Sequence, residues 1–263
     1  MSNNINVVIP IHEFNQEIDR PLLEKALESV KNSDTDVLST TVVLTKELEY
    51  YKIDDLIEKY NLKVLKNTTD KTDFPSQINL FAKQNDSEYF LILEFDDELS
   101  EKAISHYKEY SGLYGNKVQI FLSIVADVNA QNELLAYRNI EVFSKSVFED
   151  DKIGMLNSRI LQEYNFFNTS GGLFNTSAFN EIGGFKSSLN IAFIYEYLLR
   201  ATANDQQIMV IPKLSLLHRN NREGSYLKSL NDRKITKEEV AFYYTSAKSE
   251  YFFLQERSLS YNS

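Results

Sequence analysis

Along the chain, short continuous apolar runs alternate with stretches of helical periodicity. Ile5-Asn6-Val7-Val8-Ile9-Pro10 is such a run and predicts a buried parallel strand, stopped by Pro10. Leu22, Leu23, Ala26, Leu27 and Val30 then share one face, with Pro21 near the first turn, and predict a helix. Residues 40–44 predict a second strand, and 47–60 a helix with Leu48, Tyr51, Leu56 and Ile57 inward. Residues 62–65 read as an edge-like third strand, 67–73 as a polar loop, 75–83 as a helix and 89–93 as a fourth strand. This alternation predicts a parallel α/β sheet with right-handed crossovers.

The second half is less regular. Residues 118–128 hold a strong strand, 134–148 fit either strand or helix, and 152–164 predict a helix. Residues 190–204 predict a helix with Ile194, Leu198 and Ala201 facing the core. Two late strands follow at 208–212 and 214–217, then a polar cationic loop over 218–225. An aromatic-rich helix is expected over 236–257. There is no internal repeat or low-complexity linker. The expected architecture is a single domain over 1–226, divided into halves at residue 99, plus a helical extension over 227–263.

Composition narrows the chemistry. With 263 residues and 43% hydrophobic content, the chain can bury a sizeable core. No run approaches the ~20 apolar residues needed to span a bilayer. The first residues, Met1 to Asn6, lack a cationic region and a small-residue cleavage site, so a cytoplasmic protein without a secretory leader is expected. Absence of Cys removes thiolate chemistry, and three His make a His-rich zinc site unattractive. A formal charge of −10 disfavours broad attachment to nucleic acid or anionic membrane. An anionic ligand then needs a cation or oriented N–H groups.

The fourth strand runs into Glu94-Phe95-Asp96-Asp97-Glu98. Open α/β sheets bind ligands at the carboxyl ends of their strands. Carboxylates this dense repel one another unless a cation or hydrogen bonds offset them. Strand alternation would place Glu94 and Asp96 on one face, where hard oxygen ligands suit Mg²⁺ or Mn²⁺. A solvated turn with Ser100 as N-cap is the competing reading. Half of the eight glycines fall between Gly171 and Gly184, which points to backbone passing close to a ligand or to two left-handed turns.

Taken in order, these segments resemble family 2-type glycosyltransferases with a GT-A fold, a Rossmann-type mixed and mostly parallel sheet flanked by helices. The resemblance rests on Val7-Val8-Ile9-Pro10 followed by Asn15, on Pro75 to Asn79, on the acidic strand end, on Gly171-Gly172-Leu173-Phe174, on Ile182-Gly183-Gly184-Phe185 and on Tyr195 to Arg200. It implies sugar transfer from a UDP- or GDP-sugar to an unidentified acceptor, by an inverting and metal-dependent route. By the same resemblance, Pro10, Ile11, His12, Glu13, Thr45, Asn79, Glu94, Phe95, Arg219 and Arg222 belong to the donor site. Asp96 and His218 would hold the metal, Gly171, Gly172 and Gly184 would lie on the acceptor side, and Glu196 or Asp97 would be the base.

Three departures from the family pattern stand out. The second strand ends Thr45-Lys46 rather than in acidic residues; the metal motif opens with Glu94 rather than Asp; Phe193 and Ile194 occupy the positions of an expected Glu-Asp pair. Glu196 is displaced about 200° around the helix from Ile194 and is equally placed to pair with Arg200 at i+4. The alternatives are a module that binds sugar nucleotide or protein without efficient transfer, and a nucleotidyltransferase. The C-terminal helix is a candidate surface for pairing with a second copy.

Overall fold

The computed structural model describes residues 4–12, 14–129, 131–149, 153–220, 232, 235–259 and 261. The elements run β1 (Ile5–Ile11), α1 (Gln16–Lys31), β2 (Ser39–Leu44), α2 (Leu48–Tyr51), α3 (Asp54–Tyr60), β3 (Lys63–Lys66), α4 (Phe74–Gln84), β4 (Tyr89–Ile92), β5 (Glu98–Leu99) and α5 (Ala103–Tyr114). There follow β6 (Val118–Val128), β7 (Leu134–Arg138), α6 (Ile140–Glu149), β8 (Met155–Leu156), α7 (Ser158–Glu163), β9 (Leu173–Asn175), α8 (Thr176–Glu181), a 3-10 helix (Ser187–Ala192), α9 (Phe193–Ala203), β10 (Gln207–Arg219) and α10 (Lys237–Glu250).

One sheet carries the order β3-β2-β1-β4-β9-β6-β10-β5, with β7 paired to β6 and β8 to β10. The β3-β2-β1-β4 half is parallel, whereas β9 lies antiparallel between β4 and β6. Alternation along β1 sends Ile5, Val7, Ile9 and Ile11 to one face and Val8 to the other. Helices α1 and α5 cover the first face, and α4, α8 and α9 cover the second. Both faces are dry, which is why the strand sequences read as unbroken apolar runs.

Several boundaries differ from those expected. β1 passes through Pro10 to Ile11, paired with Val43 and Leu44. Even-numbered residues of β1 point their backbone toward β4, as the Leu93 N–H to Val8 C=O bond shows, and that pairing ends at Val8. The N–H that Pro10 lacks is therefore not required there. The helix expected over 47–60 breaks at Lys52, which takes φ 50°. The buried Tyr51 hydroxyl accepts the Thr45 and Lys46 N–H groups at that break. Residues 134–148 form both a strand and a helix, turning at Asn139 with φ 66°. The segment over 152–164 likewise resolves into β8 and an Asn157-capped α7. The two late strands are one, β10, with register shifts around Pro212. His218 and Arg219 close that strand rather than opening a loop. The rest of the expected loop, Arg222 included, lies outside the described residues, as does Glu13.

The C-terminal helix ends at Glu250, not at 257. There the buried Lys186 ammonium donates to the Glu250 and Phe253 carbonyls at 2.7 and 2.5 Å and ends the helix. Tyr243 and Ala247 pack into the domain core, so α10 is part of the molecule's second layer.

Candidate functional site at the carboxyl ends of the strands

β4 ends at Ile92, and the acidic segment turns at once: the Asp97 N–H donates to the Glu94 carbonyl at 3.0 Å. Strand alternation does not extend through it, so the expected shared face of Glu94 and Asp96 does not form. Glu94 lines a cavity of about 530 Å³, whereas Asp96 is 2% exposed and does not line it. Ser100 is not a cap; its hydroxyl donates to the Leu214 carbonyl, and α5 begins after Lys102.

β10 brings His218 and Arg219 to this turn across some 120 residues of sequence. His218 Nδ1 lies 3.1 Å from Asp97, and the Arg219 N–H donates to the same carboxylate at 3.0 Å. The Arg219 guanidinium donates to the Asp96 carbonyl at 3.3 Å and to Glu98 at 2.7 Å. Ser170 accepts the Glu94 N–H at 3.0 Å and fixes the start of the turn. Burial pushes the Asp97 carboxyl up, but the His218 charge and hydrogen bonds from His218, Ser170 and the Arg219 N–H outweigh it and hold the group below the usual carboxylate range. Burial pushes the His218 imidazole down, and the Asp97 charge and hydrogen bond overcome this and raise it to about 9. With Nδ1 committed to Asp97, Nε2 points away from that carboxylate, and His218 lines the cavity.

The opposite wall is apolar, built from Phe74, Phe166, Ile191, Phe193 and Ile194, with Val240 and Tyr244 contributed by α10. A smaller cavity of about 300 Å³ lies beyond β1 and β2, lined by His12, Lys46, Tyr50 and Tyr51. The two adjoin where the His12 ring meets Phe74 at 6.2 Å. A further cavity of about 700 Å³, between α7, α9 and α10, receives no residue from a strand end.

No protein-family model and no curated protein matches the chain. Solved structures do match it. S. aureus TarS 1-349 in complex with UDP aligns over 95% of this chain and 72% of its own, with TM-score 0.60 and 17% identity. A second S. aureus TarS structure aligns over 95% of this chain with TM-score 0.59 and 15% identity, and this chain spans only 43% of it. The mannosyltransferase PcManGT of Pyrobaculum calidifontis, in complex with GDP-Man and Mn²⁺, aligns over 94% of this chain and 64% of its own, with TM-score 0.64 and 13% identity. The fold is GT-A.

On this GT-A frame the residues singled out from sequence separate into two groups. His12, after β1, lines the smaller cavity, and Thr45, after β2, donates its N–H to Tyr51, which also lines it. Pro10 and Ile11 are buried strand residues. Glu94, His218 and Arg219 line the larger cavity. Asn79 lies outside both cavities and is tied to the Gly-Gly-Phe turn: its amide donates to the Phe185 carbonyl at 2.7 Å and accepts the Phe185 N–H at 2.8 Å. Phe95 is a core ring, 5.7 Å from Phe14. Gly171, Gly172 and Gly184 do not line the cavity; Gly184 sits at φ +71°, where a Cβ would come within 2.4 Å of Asn79 Oδ1. The glycines serve turns and close packing.

Both candidate bases are enclosed by partners. Glu196 is 0% exposed, and Arg200 donates to its two oxygens at 2.8 and 2.9 Å while Lys186 lies at 2.9 Å. Asp97 is equally buried, beneath His218. Neither lines the cavity. Sequence reading missed Arg138, Asn168, Lys237 and Tyr244 as lining residues. Only Asn168, beside the Gly-Gly pair, carried a signal.

Among the described residues no three carboxylates or imidazoles converge as a ready metal centre. The donor set fits a different kind of site: Mg²⁺ and its relatives are commonly held by one or two protein groups plus substrate phosphates. A carboxylate-oriented imidazole beside an acidic turn supplies those groups.

Proposed function

We propose that the chain transfers a sugar from a nucleotide-sugar donor with the help of a divalent cation, Mn²⁺ or Mg²⁺, in a single inverting displacement. The observation that carries this reading is the meeting of Glu94, Asp96, Asp97, His218 and Arg219 at the carboxyl ends of β4 and β10 on a GT-A frame. The neighbours solved with UDP, UDP-GlcNAc and GDP-Man support a sugar-nucleotide donor. One of them also holds Mn²⁺.

In this reading the nucleoside occupies the smaller cavity beside His12, Thr45 and Lys46, and the diphosphate and sugar lie in the larger one. The cation would be held by Glu94 and, once its proton is displaced, His218, together with the donor's phosphate oxygens, and would neutralise charge on the departing diphosphate; Asp96 anchors the turn through its carbonyl and Arg219. Asp97 orients His218 from below and fixes the Arg219 backbone. Arg219, held by Glu98 and the Asp96 carbonyl, adds positive charge on the leaving-group side. Glu196 ties α9 to the Gly-Gly-Phe turn through Arg200, which donates to the Gly184 carbonyl at 2.6 Å.

Titration calorimetry with UDP- and GDP-sugars, with and without Mn²⁺, tests the proposal. Binding that appears or tightens at least tenfold with the ion, and loses that gain in Glu94→Ala and His218→Ala, is expected. No binding of any sugar nucleotide in either condition would reject it. The apolar wall at Ile194 favours one alternative, a module that binds donor without turning it over. Donor consumption in the presence of a competent acceptor separates the two.

A further inference from the structure

The cavity of about 700 Å³ between α7, α9 and α10 lies apart from the strand ends, and sugar transfer as described above makes no use of it. Its size falls in the range of small-molecule sites, ~300–1,000 Å³. Tyr195 lines it with the residue 0% exposed, and the Tyr195 Oη is buried with no hydrogen-bond partner among the described residues. Burial, and after it the Tyr251 hydroxyl, push this phenol up, so it stays protonated at neutral pH and can both donate and accept. A hydroxyl taken out of water without a partner costs free energy, which a hydroxyl on a ligand would recover.

The rest of the lining is aromatic and polar. The Tyr251 and Phe252 rings follow α10 with centroids 4.0 Å apart, and Phe252 is 69% exposed. Ser158 and Gln162 come from α7, and Thr202 comes from α9. The Thr202 hydroxyl donates to the Leu198 carbonyl at 3.0 Å, which leaves its lone pairs to accept. Glu163 and Lys248 are the charges among the lining residues and oppose each other. Glu163 is also paired with Lys145 and, at 3.9 Å, with Arg159. Such a lining calls for no net charge on an occupant. A wholly apolar occupant would leave the Tyr195 hydroxyl unpaired. A sugar ring satisfies both demands, because hydroxyls run along its edge and its C–H face packs on an aromatic ring.

We propose that this cleft is a noncatalytic saccharide site, with a sugar C–H face against Phe252 and a sugar hydroxyl bonded to the Tyr195 Oη. The Tyr195 ring also packs 5.7 Å from Tyr244, which lines the strand-end cavity, and Ile194 beside it lines that cavity too. The site therefore keeps a saccharide chain one helix away from the strand ends without filling them. The inference goes beyond the sugar-transfer reading and needs neither nucleotide nor metal.

The experiment uses the isotope-labelled full chain, without nucleotide or metal. Amide chemical shifts are followed by NMR as maltotriose, cellotriose, chitotriose and mannotriose are added, with cyclohexanol and trigalacturonic acid as controls. At least one neutral trisaccharide is expected to shift residues 158–163, 195–203 and 248–252 in a saturable way. Phe252→Ala, an exposed change, and Tyr195→Phe, which removes a single oxygen, should each weaken that binding about tenfold. The unliganded Tyr195→Phe protein should melt no lower than the parent, since the oxygen it loses has no partner in the fold. A drop in its melting temperature would make the hydroxyl structural and overturn the inference. So would the absence of binding by all four trisaccharides, shifts centred on Glu94 and His218 instead, or affinities unchanged in both variants. Cyclohexanol binding as tightly as a trisaccharide would assign an apolar occupant, and tighter binding of trigalacturonic acid a charged one; either result overturns it. Each of these failures leaves the donor reading standing, because that reading is tested by nucleotide binding at the strand ends.

Discussion

Asp97, with no exposed surface, accepts from His218 and from the Arg219 N–H, and this pair sets the residue-scale energetics. His218 has its pKa raised to about 9 in the folded chain, against ~6.5 unfolded. Its contribution to stability is therefore fully present below pH ~6.5 and is lost as pH rises through 9. Asp97 runs the other way: its folded value is depressed, so its contribution is present above ~3.9 and lost as pH falls through the folded value. Without added metal, the melting temperature should be highest between these limits and fall as pH rises from 6.5 through 9. Asp97→Asn should flatten that alkaline fall and return the His218 titration, followed by NMR, toward ~6.5. The sequence exposed Glu94, Asp96, Asp97 and His218 as candidates through spacing and resemblance. Nothing in it told which carboxylate faces the cavity, because that depends on a turn beginning at Glu94, not on strand alternation.

At the scale of elements, α10 matters because Val240 and Tyr244 form part of the cavity wall. Its position depends on Lys186, which joins Glu196 to the Glu250 and Phe253 carbonyls. Lys186→Met removes one member of a buried ionic network and should cost ~3–5 kcal/mol. In native-state hydrogen exchange, protection over residues 237–250 should fall more than over β1 or β4. Gly184→Ala places a methyl against Asn79 at a left-handed φ and should destabilise by ~2–3 kcal/mol, read from denaturant unfolding. The four strands of the first half and α1, α4 and α9 were visible in hydrophobic periodicity, since both sheet faces are buried. The split at Lys52, the fusion of β10 through Pro212 and the end of α10 at Glu250 were not. Each is decided by a contact that periodicity does not show: Tyr51 beneath Thr45 six residues back, and, far apart in sequence, β6 alongside β10 and Lys186 beneath the helix end.

Across the whole molecule the net charge of −10 repels a sugar nucleotide from most directions. In the absence of divalent metal, raising ionic strength from about 0.05 to 0.3 M should therefore strengthen donor binding by screening long-range repulsion. With Mn²⁺ present that gain should shrink, because the ion supplies the missing positive charge locally; calorimetry at the two salt levels checks both. The sequence alone determined the α/β layering, the first-half strand order of events, the acidic strand end and the lack of thiol chemistry. These follow from local periodicity and composition, which tertiary contacts only reinforce. The tertiary structure decided what those residues face: Glu94 toward the cavity, Asp97 beneath His218, Glu196 locked by Arg200 and Lys186, and the glycines in packed turns. Side-chain direction at a strand end, and partnership between residues 120 positions apart, are set by how strands assemble, and no local pattern encodes them.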